Sequence, residues 1–119
     1  MKKALVAANN KFPANIMELT AQMLESLKLE GLEIFRASSK RQALEHLSYG
    51  DVLFTVLEDD LRGAEAVAES ARAIDSKLIL ITSSTDIERF KRYKPRVVKK
   101  PDYYDVLSQY AKGFCGVKL

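Results

Sequence analysis

Cysteine is almost missing from this chain: Cys115 stands alone near the C-terminus. An internal disulfide and a zinc site built from paired cysteines are therefore excluded. Its place after Gly113 suits a tail or packing residue better than a nucleophile. Histidine is equally scarce. His46, the one example, falls between Ala43 and Leu47 on what should be the wet side of a helix, a surface position and not that of a general base. Long apolar runs are missing too. The longest, Val52 to Leu57, is interrupted by Thr55 and falls far short of the roughly 20 residues a spanning helix needs. The opening Met1-Lys2-Lys3 passes straight into Ala4 to Ala8, too short for a secretory signal and followed by no cleavage site. A cytoplasmic protein with no membrane attachment is expected.

Strong net charge is also lacking. Nineteen Lys and Arg against 16 Asp and Glu leave +3, too little to define a partner. The excess is local, however: Arg89, Lys91, Arg92, Lys94, Arg96, Lys99 and Lys100 crowd one stretch. Such a cluster serves an acidic partner, nucleic acid or an anionic surface, or else is a solvated helix end and loop.

What the chain does contain is a regular alternation of patterns. Ala4 to Ala8, Val52 to Leu57 and Leu78 to Ile81 are continuous apolar runs, as expected of parallel strands buried on both faces. Leu32 to Ala37 alternates as a strand near an edge, and Val97 to Lys99 makes a brief fifth. Between them lie helical patterns. The first starts near Pro13, after Asn9 and Asn10 as available caps, carries Ile16, Leu19, Thr20, Met23 and Leu27 inward with Glu18 and Glu25 turned away, and ends at Gly31. The second opens on a Ser39–Gln42 capping box and closes at Tyr49-Gly50. The third follows the polar loop Glu58-Asp59-Asp60, with Asp59 or Asp60 as cap and Ala64, Val67, Ala68, Ala71 and Ile74 on its inner face. The fourth is short, capped through Thr85 to Glu88 and stopped by Pro95, with Ile87, Phe90 and Tyr93 inward; the fifth runs from Asp102 through Tyr103, Val106, Leu107, Tyr110 and Phe114. Five strands alternating with five helices over short connections imply one α/β domain spanning 1–119, a three-layer doubly wound sandwich around a parallel sheet.

Taken in order, these pieces resemble the receiver domain of bacterial response regulators. Ala37 to Leu44 matches the family's A-x-x-G-x-x-A-L stretch with Lys40 in place of the glycine. Asp51 to Val56 resembles its D-L-V-L-L-D strand, Ile81-Thr82-Ser83 its L-T-A ending, and Lys100-Pro101 its K-P. The resemblance implies a flavodoxin-like fold with strand order 2-1-3-4-5 and chemistry by aspartyl phosphorylation. In that chemistry a strand-end carboxylate attacks a phosphoryl group, two acids after the first strand hold Mg²⁺, and a hydroxyl and a lysine steady the oxygens.

Carried onto this sequence, the nucleophile position falls on Val56, which has no lone pair, and the acidic pair on Ala8 and Asn9, or Asn9 and Asn10. Thr82 and Lys100 match the hydroxyl and the lysine, while the aromatic switch position holds Val97. The resemblance therefore implies a degenerate pocket of Ala8, Asn9, Val56, Glu58, Thr82 and Lys100, with no catalytic residue, no metal ligand and no cofactor. Glu58 or Asp59 is the surrogate acid if one exists, and a Lys100 contact to Glu58 or Asn9 would be a structural relic. The other role open to Lys100 and Thr82 is holding a small anion. The loop Ala8-Asn9-Asn10-Lys11-Phe12-Pro13 has no glycine and no hydroxyl, which argues against a flavin-phosphate cradle.

The implied function is a non-enzymatic pseudo-receiver: a phosphorylation-independent protein–protein interaction module in two-component signal transduction. The family's partner face, its fourth helix, fifth strand and fifth helix, would carry Phe90, Arg92, Tyr93, Val97, Lys99, Tyr103 and Tyr104 here. A protein partner, or a second copy in a homodimer, is expected on it. Nucleic-acid or anionic-surface binding through Arg89–Lys100 is the competing reading. It is disfavoured because no helix-turn-helix, zinc motif or stacking platform accompanies the basic stretch.

Overall fold

Runs of aliphatic residues with little polar interruption cannot leave a face to water, so the first, third and fourth strands of this chain need cover on both sides. The computed structural model, which describes residues 2–11, 15–84, 87–100 and 103–116, shows how that cover is supplied. In chain order the elements are β1 (Lys2–Ala7), α1 (Ile16–Ser26), β2 (Leu32–Ala37), α2 (Lys40–Ser48), β3 (Val52–Glu58), α3 (Ala64–Ala73), β4 (Lys77–Thr82), a 3-10 helix (Glu88–Tyr93), β5 (Arg96–Lys99) and α4 (Tyr103–Phe114). The five strands form one sheet in the order β2-β1-β3-β4-β5, and every neighbouring pair is parallel. This is the flavodoxin-like order the resemblance implied.

Alternation along the strands splits the core in two. Ala4, Val6, Phe54, Val56, Ile79, Ile81 and Val98 meet α1 and α4, through Ala21, Leu24, Leu107 and Ala111. Leu5, Ala7, Leu57, Leu78 and Leu80 meet α2, α3 and the 3-10 helix, through Ala43, Leu47, Val67, Ala68, Phe90 and Tyr93. The small residues of α3 let it lie close to the sheet, as their spacing predicted.

Several boundaries differ from the sequence reading. Helix α1 stops at Ser26, five residues before Gly31, because Lys28 turns into the left-handed region and Leu29 packs back onto the core. Its cap is Asn15, whose side chain accepts from the Glu18 N–H, and not Asn9 or Asn10. Leu19 is half exposed. Glu18 and Glu25 do not simply face water: both bind Arg36 on the edge strand β2, at 2.8 and 2.6 Å. Helix α3 begins after Gly63 with no side-chain cap, so neither Asp59 nor Asp60 serves there. The Ser39 hydroxyl does accept from the Gln42 N–H, but Gln42 reaches back to the Ser38 N–H, one residue before the cap. The fourth helix is a 3-10 segment that ends on left-handed Lys94, just ahead of Pro95. The expected roles of Pro13, Thr85, Pro101 and Asp102 lie outside the described residues.

Candidate functional site

In a doubly wound sheet, functional groups gather where strands end at their carboxyl edge. Here that edge presents Ala8 and Asn9 after β1, Glu58 at the end of β3, Thr82 at the end of β4 and Lys100 after β5. Glu58 closes β3 as its last residue and does not begin a loop.

Glu58 is 2% exposed, and each of its carboxylate oxygens has a partner. Oε1 accepts from the backbone N–H of Asn9 at 3.0 Å, and Oε2 accepts from Lys100 Nζ at 2.9 Å. Lys100 also lies 3.4 Å from Asp60 Oδ2. Burial tends to lower the Lys100 pKa, but the Glu58 and Asp60 carboxylates more than offset it, and the ammonium is held above its ordinary value. The expected Lys100–Glu58 contact is present.

Val56 is not at the cleft. It is fully buried against α1 and α4, and the strand-end position belongs to Glu58, two residues on. The register accounts for one of those two positions. Lys3 of β1 faces Val52, yet Ala4 faces Phe54, so Leu53 is an extra residue and β3 reaches further than a count from Asp51 suggests. Strand alternation then puts Glu58 on the Phe54–Val56 side, toward Lys100.

Thr82 serves a different acid. Its hydroxyl donates to Asp59 Oδ2 at 2.5 Å and accepts from the Ser84 N–H. Nothing in the sequence marked Asp59 for this partner. Arg89 donates to the Asp59 carbonyl at 2.8 Å and pairs with Glu65 at 3.6 Å. The hydroxyl and the lysine, expected to serve one site, are thus committed to two separate carboxylates.

The donor set does not fit Mg²⁺, the metal of the receiver fold. Ala8 has no side-chain ligand atom, Glu58 already has both oxygens engaged, and Asp59 Oδ1, buried without a hydrogen-bond partner, is one oxygen where a near-octahedral ion asks for several. Among the described residues no group of three or more His, Cys, Asp or Glu is placed to hold a metal.

The remaining predicted residues sort by burial. Phe90 and Tyr93 belong to the core, at 1% and 6% exposed, so they leave the interface set; their rings carry Arg89 and Arg92 stacked outside them at 4.6 and 4.8 Å. Tyr103 is tied to Thr20 through its hydroxyl at 3.2 Å. Arg92 and Tyr104 are exposed, and Val97 and Lys99 are half-buried. Much of the basic stretch is engaged internally: Arg89 with Glu65, Lys91 with Glu88, Arg92 with the Tyr93 hydroxyl, Lys99 with the Ser84 carbonyl and Lys100 with Glu58. His46 lies against Phe35, 5.2 Å between ring centres. No described helix is long and apolar enough to cross a membrane.

No family model matches the chain, and no curated protein matches it either. Solved structures do. The response regulator TrrA from Thermotoga maritima, in complex with Mg²⁺ and BeF, aligns at 27% identity with a TM-score of 0.72, over 96% of this chain and 99% of that one. A CheY-like receiver domain from Methanospirillum hungatei aligns at 18% identity with a TM-score of 0.76, over 98% and 94%. The receiver domain of a sensor histidine kinase from Pseudomonas aeruginosa, with magnesium in its cleft, aligns at 17% and 0.71, over 96% and 97%. The chain's structural neighbours are response regulator receiver domains, and it shares their five-stranded 2-1-3-4-5 architecture from end to end.

Proposed function

We propose that this chain is a receiver domain that signals without being phosphorylated, and that it is a protein-binding module and not an enzyme. One observation carries the reading: the carboxylate at the strand-end position is already held by Asn9 N–H and Lys100. A carboxylate attacks a phosphoryl group through a free lone pair, with cations neutralising the charge of the group transferred. Here each oxygen already accepts from one internal donor, the lysine is spent on Glu58, and the position that should supply an acid at the end of β1 is Ala8. Fully buried Val56 offers no alternative nucleophile.

On this reading the cleft stays in one state, and the output surface is what remains exposed on the 3-10 helix, β5 and α4. Arg92 and Tyr104 are its strongest candidates, since arginine and tyrosine concentrate binding energy at interfaces; Val97 and Lys99 flank them. The test is incubation of the protein with acetyl phosphate and Mg²⁺, followed by intact-mass spectrometry. No phosphate adduct is expected. A stoichiometric adduct that disappears in Glu58→Gln or Asp59→Asn would overturn the proposal and establish a surrogate acceptor.

A further inference from the structure

Four cations without an ion pair surround a cavity of about 540 Å³ beside the carboxyl ends of β1, β2 and β3. Lys11 reaches it from the loop after β1, Lys40 and Arg41 from the first turn of α2, and Arg62 from the loop before α3. Among the described residues none of these four forms an ion pair, and no carboxylate lines the cavity. Four like charges around one hollow repel each other and favour a bound counter-charge. The size falls within the usual range of small-molecule sites.

All four residues are exposed, but one of them is held against the opposite wall. The stem of Lys40 lies across Gly63, so closely that a Cβ at Gly63 would stand 2.5 Å from Lys40 Cδ. That contact joins the start of α2 to the loop before α3 and fixes where the ammonium departs. The backbone N–H groups of Lys40 and Arg41 have no acceptor within their own helix and point the same way as its positive end.

We propose that this cavity binds a small organic polyphosphate. Four charges brought by three separate segments match a ligand bearing two or more phosphates better than a single one. This goes beyond the phosphorylation-independent reading and does not depend on it. A second basic hollow, of about 400 Å³ with Arg72, Lys77, Lys94 and Arg96, lies at the opposite end of the sheet and provides an internal control.

The test is isothermal titration calorimetry on the full chain at about 0.15 M salt, with pyrophosphate and then ADP as probes. Saturable binding of one ligand per chain is expected. Lys40→Met, which keeps the stem over Gly63 and removes the charge, and Arg41→Ala should each weaken it by about tenfold, while Lys77→Ala with Arg96→Ala leaves it within about twofold. Absence of saturable heat, or equal weakening in the control variant, would overturn the proposal. So would retention on duplex DNA that pyrophosphate does not compete, which would assign the surface to a macromolecular polyanion.

Discussion

Glu58 and Lys100 show how much a one-residue register step can hide. In the sequence, Val52 to Leu57 is apolar apart from Thr55, so an extra residue inside it leaves no mark, and the count from Asp51 stops at Val56. Only pairing with β1 shows that Leu53 is the surplus one. The Lys100 contact was legible because an ammonium at the carboxyl edge must find an acceptor, and Glu58 was the nearest acid beyond the strand. Thr82 lies at the end of β4, where the sequence put it, and its bond to Asp59 was not foreseen, since nothing local distinguishes Asp59 from its neighbours. The pair has a measurable worth. Lys100→Met leaves the 3% exposed Glu58 side chain without its counter-ion and should cost about 2 kcal/mol in urea unfolding at neutral pH, less than for a fully buried pair because Lys100 keeps partial contact with water. The pKa of Lys100 is raised in the folded state, so this contribution is complete below the unfolded value of about 10.4 and fades as pH rises through the folded one. Wild type and Lys100→Met should therefore converge in urea midpoint above that range, when compared from pH about 8 upward.

Among the elements, strands were the most readable, because continuous aliphatic runs between turn residues admit few alternatives. Helix ends were the least readable. Gly31 looked like the stop of α1, yet the chain turns earlier at Lys28 so that Leu29 can reach the core. The fourth helix was expected to be short, and it is a 3-10 turn because Pro95 leaves too little room for an α-helix to propagate. The join between α2 and α3 depends on one glycine. Gly63 sits at φ +81 with the Lys40 stem against it. Gly63→Ala should destabilise by about 1–2 kcal/mol, part from the left-handed backbone and part from the contact. Adding Lys40→Ala should recover the second part alone, which a double-variant cycle of urea unfolding would measure.

At the scale of the molecule, the two halves of the core share one sheet, and β1, β2, β3 and β4 each contribute to both. Helices on either face lean on the same β1, β3 and β4. Neither half can come away without exposing the other's strands, so unfolding should be a single transition, with far-ultraviolet and tyrosine signals coinciding during a urea titration. Separated curves would show one helical layer melting first. The hold of Lys100 on Glu58 has a further effect at this scale. The carboxylate is tethered to the lysine through the same fold, so it acts as a competitor that dilution cannot remove, with a local concentration in the millimolar range or above. A diffusing phosphodonor at micromolar levels would meet that lysine already occupied in nearly every molecule.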